Sequence, residues 1–560
     1  MPPRVVTISD HVDCPTGFGV QHRHLAAALA QAGYDVHSLG LWDTRPLATI
    51  ADCQLPIADC AEGAATLPSH QSGFGNRQSE ILFTRYPGGL GAEDHRRAWA
   101  MYRDLLRPDL VITLGNLETF AHLNDDANGP DRPFAWAHWL PLDALPYPTR
   151  DHERMLRYDH LVLMSRFALE VVRPHLEGRV PLHYIPHAVG TRTFRPLDDP
   201  LALRRRWSRR LGVHLRPADF ILIARDANQW RKQQPLLLDA LAQTPSGVKL
   251  LFHCHPAAHT DANGWDLLHL ARDVYGVADR VVFTTPPPLP PSPASPFPRA
   301  PALPLRPAPC PPLPSGEGWG EGPGARHAPG SAASPATHRA VLTPAELAEL
   351  DNLADLRVSA TQGEGFGVLT IEAMACGTPT LITDYTTSRE LLLGIPDCRL
   401  PISDFAQRPP AGVARATPQR RFAPSSVILP VPEHDGNQAV AHLPPAVRVE
   451  SNPADPQARA PVLHPLRAIG NRKSEIGDTL DPFGPAGELV RVASWTVEQR
   501  RHLLRPIIDT ADLAARIVAL RDSPDRLARY AEAGLRRVHA AYTVEHMARA
   551  WLDLVHSILG

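Results

Sequence analysis

The sequence predicts an α/β protein with two successive halves, each built around a parallel β-sheet. Short apolar runs alternate with amphipathic helical segments, which is typical of βαβ units. The pattern begins at Arg4–Ile8 and restarts at Phe220–Ala224, after a junction near Phe194–Pro200. A chain of 560 residues is too long for one hydrophobic core and fits two or three domains.

The first half opens with a strand, a glycine-bearing loop and a helix. Arg4–Ile8 is the predicted strand, Asp10–Gly19 the loop and Val20–Ala32 the helix. The next strand is expected at Asp35–Leu41, so the opening is Rossmann-like. Later strands of this half are predicted at Leu110–Leu114, Phe134–His138, Leu161–Met164 and Leu182–Ile185.

The second half repeats the alternation and adds a clear helix start. Its predicted strands are Phe220–Ala224, Lys249–His253, Arg280–Thr284, Leu356–Ala360 and Thr380–Thr383, and its predicted helices are Gln234–Ala242, Trp265–Tyr275 and Leu369–Cys376. Thr343, Pro344 and Glu346 have the spacing of a capping box with proline at the first helical position. The expected domains are therefore 1–196, 197–540 and a closing helix over 541–560.

Two stretches interrupt the second half. Between Pro286 and Thr337 there are 18 prolines in 52 residues, and no apolar periodicity survives. The stretch from about 407 to 485 is also rich in proline and arginine. Such segments cannot bury enough apolar surface to offset the entropy of ordering them, so we expect two disordered insertions.

Composition and charge exclude some classes of protein. The chain has 57 Lys and Arg against 59 Asp and Glu, a net charge of −2, so no global positive field can hold a nucleic acid. Its 7 cysteines include no CxxC pair, which indicates reduced thiols in a cytoplasm. No signal-length apolar core or spanning segment is visible.

A strand, turn and helix carry most of the chemistry. The predicted strand Leu356–Ala360 leads into a glycine-rich turn around Glu364, and a helix begins near Val368. Glycines allow a ligand to approach the backbone, and the amides of a first helical turn favour a phosphate. Glu364 and Glu372 can face one crevice and accept hydrogen bonds from sugar hydroxyls. The segment predicts a ligand with both phosphates and hydroxyl-rich rings.

This segment resembles the EX7E signature of family 4 (group 1) retaining glycosyltransferases. The resemblance lies in Glu364-Gly365-Phe366-Gly367, in Glu372 and in Gly377-Thr378-Pro379. It implies the GT-B fold, in which two Rossmann-like domains face each other across a cleft. It extends over nearly the whole chain outside the two insertions, including the interdomain stretch Ile185–Val189 and closing helices up to Trp551.

The resemblance also implies roles for individual residues. Catalytic roles fall on Glu364 and His138, although His138 could equally be a core residue at the end of an apolar run. The implied donor-binding residues are Gly17, Gly19, Arg225, Arg231, Lys232, Gly365, Phe366, Gly367, Val368, Leu369 and Glu372. Either Arg225 or Arg231, with Lys232, would neutralise the pyrophosphate, while Glu372 would accept ribose hydroxyls and Glu364 would hold the sugar.

No cofactor or metal site is expected. His253 and His255 lie on one face of a strand without a third ligand, so we interpret them as core residues, and no DxD motif is found at a plausible donor site. The implied activity is metal-independent transfer of a sugar from a nucleotide-diphosphate sugar to a glycan, lipid or small-molecule acceptor. The expected location is the cytoplasm, with peripheral contact to the inner face of the membrane left open.

Two other functions compete with this one. A nucleotide-sugar-binding remnant without activity is an alternative because two insertions interrupt the donor-binding half. An epimerase of the same fold is the other, although the EX7E context fits it poorly. A panel of nucleotide sugars distinguishes the three functions. A transferase transfers the sugar, an inactive remnant binds the donor without turnover, and an epimerase inverts the sugar at C2.

We predict that a short Gly/Ser linker can replace Pro286–Thr337. Loop-closure entropy changes by only about 0.6 kcal/mol for each doubling of length, so removal is expected to be neutral or slightly stabilising. The deletion variant should melt no lower than the parent in a thermal scan and keep or gain transferase activity. Unfolding, or a folded variant that no longer binds donor, would contradict this prediction.

Overall fold

Two parallel sheets organise the fold, as the sequence predicts. The protein is described here by a computed structural model that covers residues 2–44, 48–50, 83–89, 91–123, 132–146, 149–256, 264–284, 342–394, 482–498 and 503–560. The predicted insertions lie outside these ranges, except that Pro482–Pro485 is described. Within it, Gly484 accepts a hydrogen bond from the buried Arg537, so the chain from Phe483 onward belongs to the folded part rather than to an insertion.

The first sheet contains eight strands. They are β1 (Arg4–Asp10), β2 (Asp35–Leu41), β3 (Ala48–Ile50), β4 (Phe83–Pro87), β5 (Leu110–Leu114), β6 (Ala135–Leu140), β7 (His160–Leu163) and β8 (Leu182–Tyr184). Their spatial order is β3-β4-β2-β1-β5-β6-β7-β8, and every pair except β3 with β4 is parallel.

The second sheet contains six parallel strands. They are β9 (Phe220–Ala224), β10 (Val248–Phe252), β11 (Val281–Phe283), β12 (Leu356–Ser359), β13 (Thr380–Thr383) and β14 (Gly487–Val490). The order β11-β10-β9-β12-β13-β14 is the 3-2-1-4-5-6 order of the Rossmann fold. The order reverses between β9 and β12, and ligands of such sheets bind outside the carboxyl ends of the strands at this point.

Helices connect the strands and cover the sheets. They are α1 (Gly17–Gln31), α2 (Ala92–Leu106), α3 (Thr149–Met155), α4 (Arg166–Leu176), α5 (Pro200–Leu211), α6 (Gln234–Ala242), α7 (Leu267–His269), α8 (Pro344–Leu353), α9 (Val368–Ala375), α10 (Ser388–Leu393), α11 (Thr510–Arg521), α12 (Pro524–Ala541) and α13 (Val544–Leu559). The predicted capping box at Thr343 and Glu346 starts α8. In the part of the chain that is described, no helix is long and apolar enough to cross a membrane.

Three local expectations differ from the structure. Helix α1 begins at Gly17 rather than Val20, because the Thr16 hydroxyl accepts the Gly19 amide and caps the helix there. The expected helix Trp265–Tyr275 is a short α-helical turn followed by a π-helical turn. After β14 the chain forms an unexpected antiparallel hairpin, β15 (Val492–Glu498) with β16 (Leu503–Ile508).

A shared apolar core joins the two sheets. Helix α13 packs on α1, and the fully buried ring of Trp551 lies edge-on to Trp139, with 5.2 Å between the ring centroids. The Val189 amide donates to the Tyr542 carbonyl at 2.9 Å. The apolar cluster therefore includes residues from both halves and from the last helix.

A buried carboxyl group adds a polar contact between the halves. Glu390, on α10, accepts hydrogen bonds from the amides of Arg166 and Phe167 at 2.8 and 3.3 Å, at the start of α4. The Tyr184 hydroxyl donates to its other oxygen at 2.8 Å. Burial outweighs these hydrogen bonds and raises the pKa of Glu390 to about 7.

We predict a pH dependence of stability from Glu390. Its pKa is higher in the folded protein than in the unfolded chain, so its contribution is complete below about pH 4.5 and is lost as the pH rises to about 7. The free energy of unfolding of the parent should fall, relative to that of Glu390→Gln, by about 1.4 kcal/mol per pH unit within this window. Urea titrations of both proteins between pH 4 and 8 measure this difference, and parallel curves would contradict the prediction.

Candidate functional site

The candidate site lies where the strand order of the second sheet reverses. Strands β9 and β12 are neighbours, with Leu222 opposite Leu356 and Ile223 opposite Arg357. Arg225 directly follows β9, and the glycine-rich turn follows β12. The carboxyl ends of parallel neighbours meet at one edge of a sheet, so the two predicted donor-binding segments come together there.

Arg225 is buried between two carboxyl groups. Its Nη2 lies 2.8 Å from Oδ2 of Asp351 and 2.5 Å from Oε2 of Glu372, and its side chain is 1% exposed. Burial alone would lower the pKa of Arg225, but the two carboxyl groups outweigh it and raise that pKa. Burial raises the pKa of Asp351 to about 7 against the opposing effect of Arg225.

Lys232 forms a second buried cluster beside the first. Its Nζ donates to Asp226 at 3.0 Å and also to a carboxylate oxygen of Glu364. Nη2 of Arg357 lies 3.6 Å from Oδ2 of Asp226. Burial would raise the pKa of Asp226, but Lys232 and Arg357 hold it well below its usual range. The residues predicted from distant parts of the sequence thus form two adjacent charge clusters.

The turn itself is positioned by hydrogen bonds and by close approaches. Arg231, which is half-buried, donates from Nη1 to the Gly363 carbonyl at 3.2 Å. A Cβ on Gly365 would lie 2.5 Å from Cβ of Pro141, so glycine is required where the loop after β6 meets the turn. The Phe366 ring is buried against His187 and Tyr542, which gives it a packing role.

Helix α9 begins at the end of this turn. Gly367 is its N-cap with a φ of +104°, a conformation that favours glycine. The amides of Thr370 and Ile371 donate to the Gly367 carbonyl, and Val368 and Leu369 form the first helical turn before them. Both side chains are half-buried. Glu372 lies one turn further along the helix, where it meets Arg225.

The first glycine loop has a clear structural explanation. The Gly19 amide donates to the capping Thr16 hydroxyl at 3.0 Å, and a Cβ on Gly19 would lie 2.4 Å from the Cys14 carbonyl oxygen. Gly17 is exposed, and a Cβ there would meet no atom within 4 Å. Close packing therefore accounts for Gly19, while no contact in the described structure requires glycine at position 17.

His138 lies on a strand of the first sheet. It is fully buried in β6, where its ring stacks on Tyr158 with 4.5 Å between centroids and its Nδ1 contacts the Thr113 hydroxyl at 2.7 Å. Burial lowers the pKa of His138 to about 3. These contacts are typical of a core residue, and the role of His138 at the reacting sugar stays a prediction.

Three charged residues of the site were not predicted from the sequence. Asp351 lies on α8, and its only sequence signal is a helix with a capping box. Asp226 is adjacent to Arg225, but nothing in the sequence indicates that it pairs with Lys232. Arg505 lies on the unexpected hairpin and donates to the Gln362 carbonyl at 3.4 Å.

The predicted interpretation of His253 fits its surroundings. Its Nδ1 contacts the Thr284 hydroxyl at 2.7 Å. Among the described residues, no group of three His, Cys, Asp or Glu side chains could hold a metal ion.

Fold and site together define a class of protein. Two Rossmann-like sheets and a donor-type turn at the switch point of the second sheet are the features of the GT-B fold. Residues 341–393 match the family described as Glycosyl transferases group 1. This segment contains Glu364, Glu372 and the whole of α9. The resemblance to group 1 glycosyltransferases is therefore confirmed over this segment.

Solved structures agree with this fold. Sucrose-phosphate synthase from Thermosynechococcus elongatus aligns with 99% of this chain and 99% of its own, at 14% identity and a TM-score of 0.55. Alr3699/HepE of Anabaena, in complex with UDP-glucose, aligns with 99% of each chain at 11% identity and a TM-score of 0.51. At these identities the likeness shows the fold alone. No curated protein matches the sequence.

We predict that Arg225→Met is strongly destabilising. Removal of a buried cation leaves Asp351 and Glu372 without their shared partner, which typically costs about 3–5 kcal/mol of unfolding free energy. Arg516→Met is a matched control, because Arg516 also pairs with two carboxylates but its side chain is 34% exposed. Loss of the Arg516 side chain should lower the unfolding free energy by at most about 1 kcal/mol. Urea denaturation measures both variants, and equal costs would contradict the prediction.

Proposed function

We propose that this protein is a retaining glycosyltransferase that moves a sugar from a nucleotide-diphosphate sugar to an acceptor hydroxyl. One observation carries the proposal. Arg225 meets Glu372, and Lys232 meets Glu364, across 147 and 132 residues of sequence at the switch point of the second sheet. The site thereby combines two kinds of group beside the first turn of α9. The cations can face phosphates, and the carboxylates can accept hydrogen bonds from sugar hydroxyls.

The donor is proposed to lie along this turn and helix. Its diphosphate would face the amides of Val368 and Leu369, and Glu372 would accept hydrogen bonds from the ribose. Arg225 is itself buried and is bound by the buried Asp351 and by Glu372, so it is better suited to orient Glu372 than to contact phosphate. Arg231 is half-buried beside the turn and, with Lys232, is the better candidate for the phosphates.

Donor binding would rearrange one ion pair. In the structure Lys232 is bound to Glu364, and both side chains border the turn. A diphosphate would compete with Glu364 for the ammonium group, because charge-assisted hydrogen bonds to phosphate are strong. Glu364 would then be available to accept a hydrogen bond from a hydroxyl of the transferred sugar, held against the Gly365–Gly367 backbone.

The proposed transfer takes place on one face of the sugar. The bond from the anomeric carbon to the leaving phosphate breaks, and a bond from that carbon to the acceptor oxygen forms. The acceptor proton passes to the departing phosphate oxygen, so no protein nucleophile is needed. Arg231 and Lys232 stabilise the negative charge that develops on the leaving group, and the remaining catalysis is positioning.

A panel of nucleotide sugars tests the proposal. Purified protein is incubated with each donor, starting with UDP-glucose, and the products are analysed for free nucleotide, transferred sugar and anomeric configuration. Transfer or slow donor hydrolysis supports the proposal, whereas C2 inversion indicates an epimerase and binding without turnover indicates an inactive remnant. Parallel reactions with EDTA test the expected metal independence, and the cytoplasmic location stays a prediction.

We predict that the two glutamates separate nucleotide binding from sugar transfer. Glu372→Ala should weaken the binding of free nucleotide and of donor alike, because the ribose is common to both. Glu364→Ala should reduce transfer far more than nucleotide affinity. Loss of a charge-assisted hydrogen bond costs roughly 1.5–3 kcal/mol, about one to two decades in affinity.

Calorimetric titration with UDP and initial rates with the active donor measure the two effects. Glu349→Ala is a control, because this glutamate pairs with Trp207 and Arg206 away from the turn. If Glu364→Ala weakened nucleotide and nucleotide sugar equally, the assignment of Glu364 to the sugar would be wrong.

A further inference from the structure

The hairpin of β15 and β16 contacts both halves of the protein at the edge of the candidate site. The Leu504 amide donates to the Leu145 carbonyl at 2.6 Å, in the loop that follows β6. The Tyr385 hydroxyl accepts the Leu145 amide at 2.9 Å and donates to the Leu504 carbonyl at 2.7 Å. One side chain of the second sheet thus ties the hairpin to a loop of the first sheet.

Arg505 lies at the centre of this contact and is 3% exposed. Its Nη1 donates to the Asp143 carbonyl at 3.1 Å and to the Gln362 carbonyl at 3.4 Å. Its Nη2 pairs with Glu498 across the hairpin at 2.8 Å. One guanidinium group therefore connects the loop after β6, the turn after β12 and the hairpin itself.

The contact is immediately next to Glu364. A Cβ on Gly363 would lie 1.9 Å from the Asp143 carbonyl oxygen and 3.3 Å from Nη1 of Arg505. On the other side of Glu364, a Cβ on Gly365 would lie 2.5 Å from Cβ of Pro141. Both neighbours of Glu364 are thus in backbone contact with the loop 141–146, so the position of that loop determines the position of the Glu364 backbone.

We propose that the paired strands β15 and β16 form a strap that holds the loop 141–146 against the donor turn, and that Arg505 is a positioning residue for the transferred sugar. Arg505 acts through the backbone around Glu364 and does not itself touch the donor. The planar fork of arginine suits several fixed acceptors at once, which lysine cannot reproduce. This inference rests on the proposed function, because it assigns the turn to the sugar.

The geometry predicts a split between chemistry and nucleotide binding. The partners of Arg505 lie on the turn and the loop, whereas Glu372 is held by Arg225 on the other side of the site. A small displacement of reacting groups can reduce a rate about 100-fold. Loss of Arg505 should therefore lower the turnover rate and leave nucleotide affinity nearly unchanged.

The test compares Arg505→Ala with the parent, using the donor that the panel shows to be active. We expect kcat to fall about 10-fold or more, with the Kd for UDP changing less than about twofold. Arg505→Lys should restore only part of the rate. Arg491→Ala is the control, because Arg491 directly precedes the hairpin but its side chain is 69% exposed and pairs with Asp509. It should behave like the parent.

Tyr385→Phe is a second variant that keeps the ring and removes only the bridging hydroxyl. Hydrogen exchange at the amides of residues 142–145 and 361–367 is the second readout. Exchange there should become about 10-fold faster in both variants, while exchange in β9 is unchanged. This readout does not require activity, and Tyr385→Phe takes the place of Arg505→Ala if the latter does not fold.

The outcomes separate this inference from the proposed function. If the parent turns over no nucleotide sugar, the proposed function fails, and the exchange data alone decide whether the strap exists. If the parent is active and kcat is unchanged in both variants, or kcat and UDP affinity fall by the same factor, the positioning role is overturned. Unchanged exchange at the turn would overturn the strap itself.

Discussion

The candidate site depends on compensation between buried charges. Arg225 directly follows β9, Lys232 lies further along the same connection, and both are buried. Each is paired with two carboxyl groups, which are Asp351 and Glu372 for Arg225 and Asp226 and Glu364 for Lys232. A buried cation without such partners would carry a desolvation cost of several kcal/mol. The fold must therefore bring α8, α9 and the turn around Glu364 to the same place before these cations can be buried. The turn around Glu364 is thus positioned by electrostatics as much as by the sheet.

Close approach of backbones is the second constraint on the site. Gly363 and Gly365 place the turn of the second sheet directly against the loop after β6 of the first sheet. The buried Glu390 contributes another contact between the halves, at the start of α4. The cleft is therefore bordered by backbone atoms on both sides of Glu364. A substrate bound there would meet carbonyl and amide groups whose positions depend on both halves of the chain.

Periodicity and turn chemistry are sufficient to predict the sheets and the position of the turn. Strands such as Phe220–Ala224 and Leu110–Leu114 are continuous apolar runs, because both faces of a parallel sheet are covered. The conjunction of strand, glycines and helix also identified Glu364 and Glu372. Contacts between distant segments have no such local signal. Asp351 is an acidic residue on a short helix, and only the tertiary structure shows that it pairs with Arg225.

Two features of the chain have no decisive local signal. His138 ends an apolar run, and the sequence alone leaves open whether its ring faces the cleft or the core. The segment Val492–Ile508 contains arginines and a proline that weaken a strand pattern. Arg505 is nevertheless buried, because the carbonyl groups of Asp143 and Gln362 and the carboxylate of Glu498 surround it. A charged residue in a strand is usually assigned to the surface, and this one is an exception that depends on its partners.

The position of Trp551 against Trp139 has a consequence for how the chain folds during synthesis. The ribosome makes Trp551 only after the whole second sheet has emerged, while β1, α1 and β6 are made much earlier. Until α13 arrives, the apolar face of α1 and the edge of Trp139 have no cover from their native partner. The first half of the nascent chain therefore has an incomplete core until α13 is made, and transiently exposed apolar surface of this kind favours aggregation.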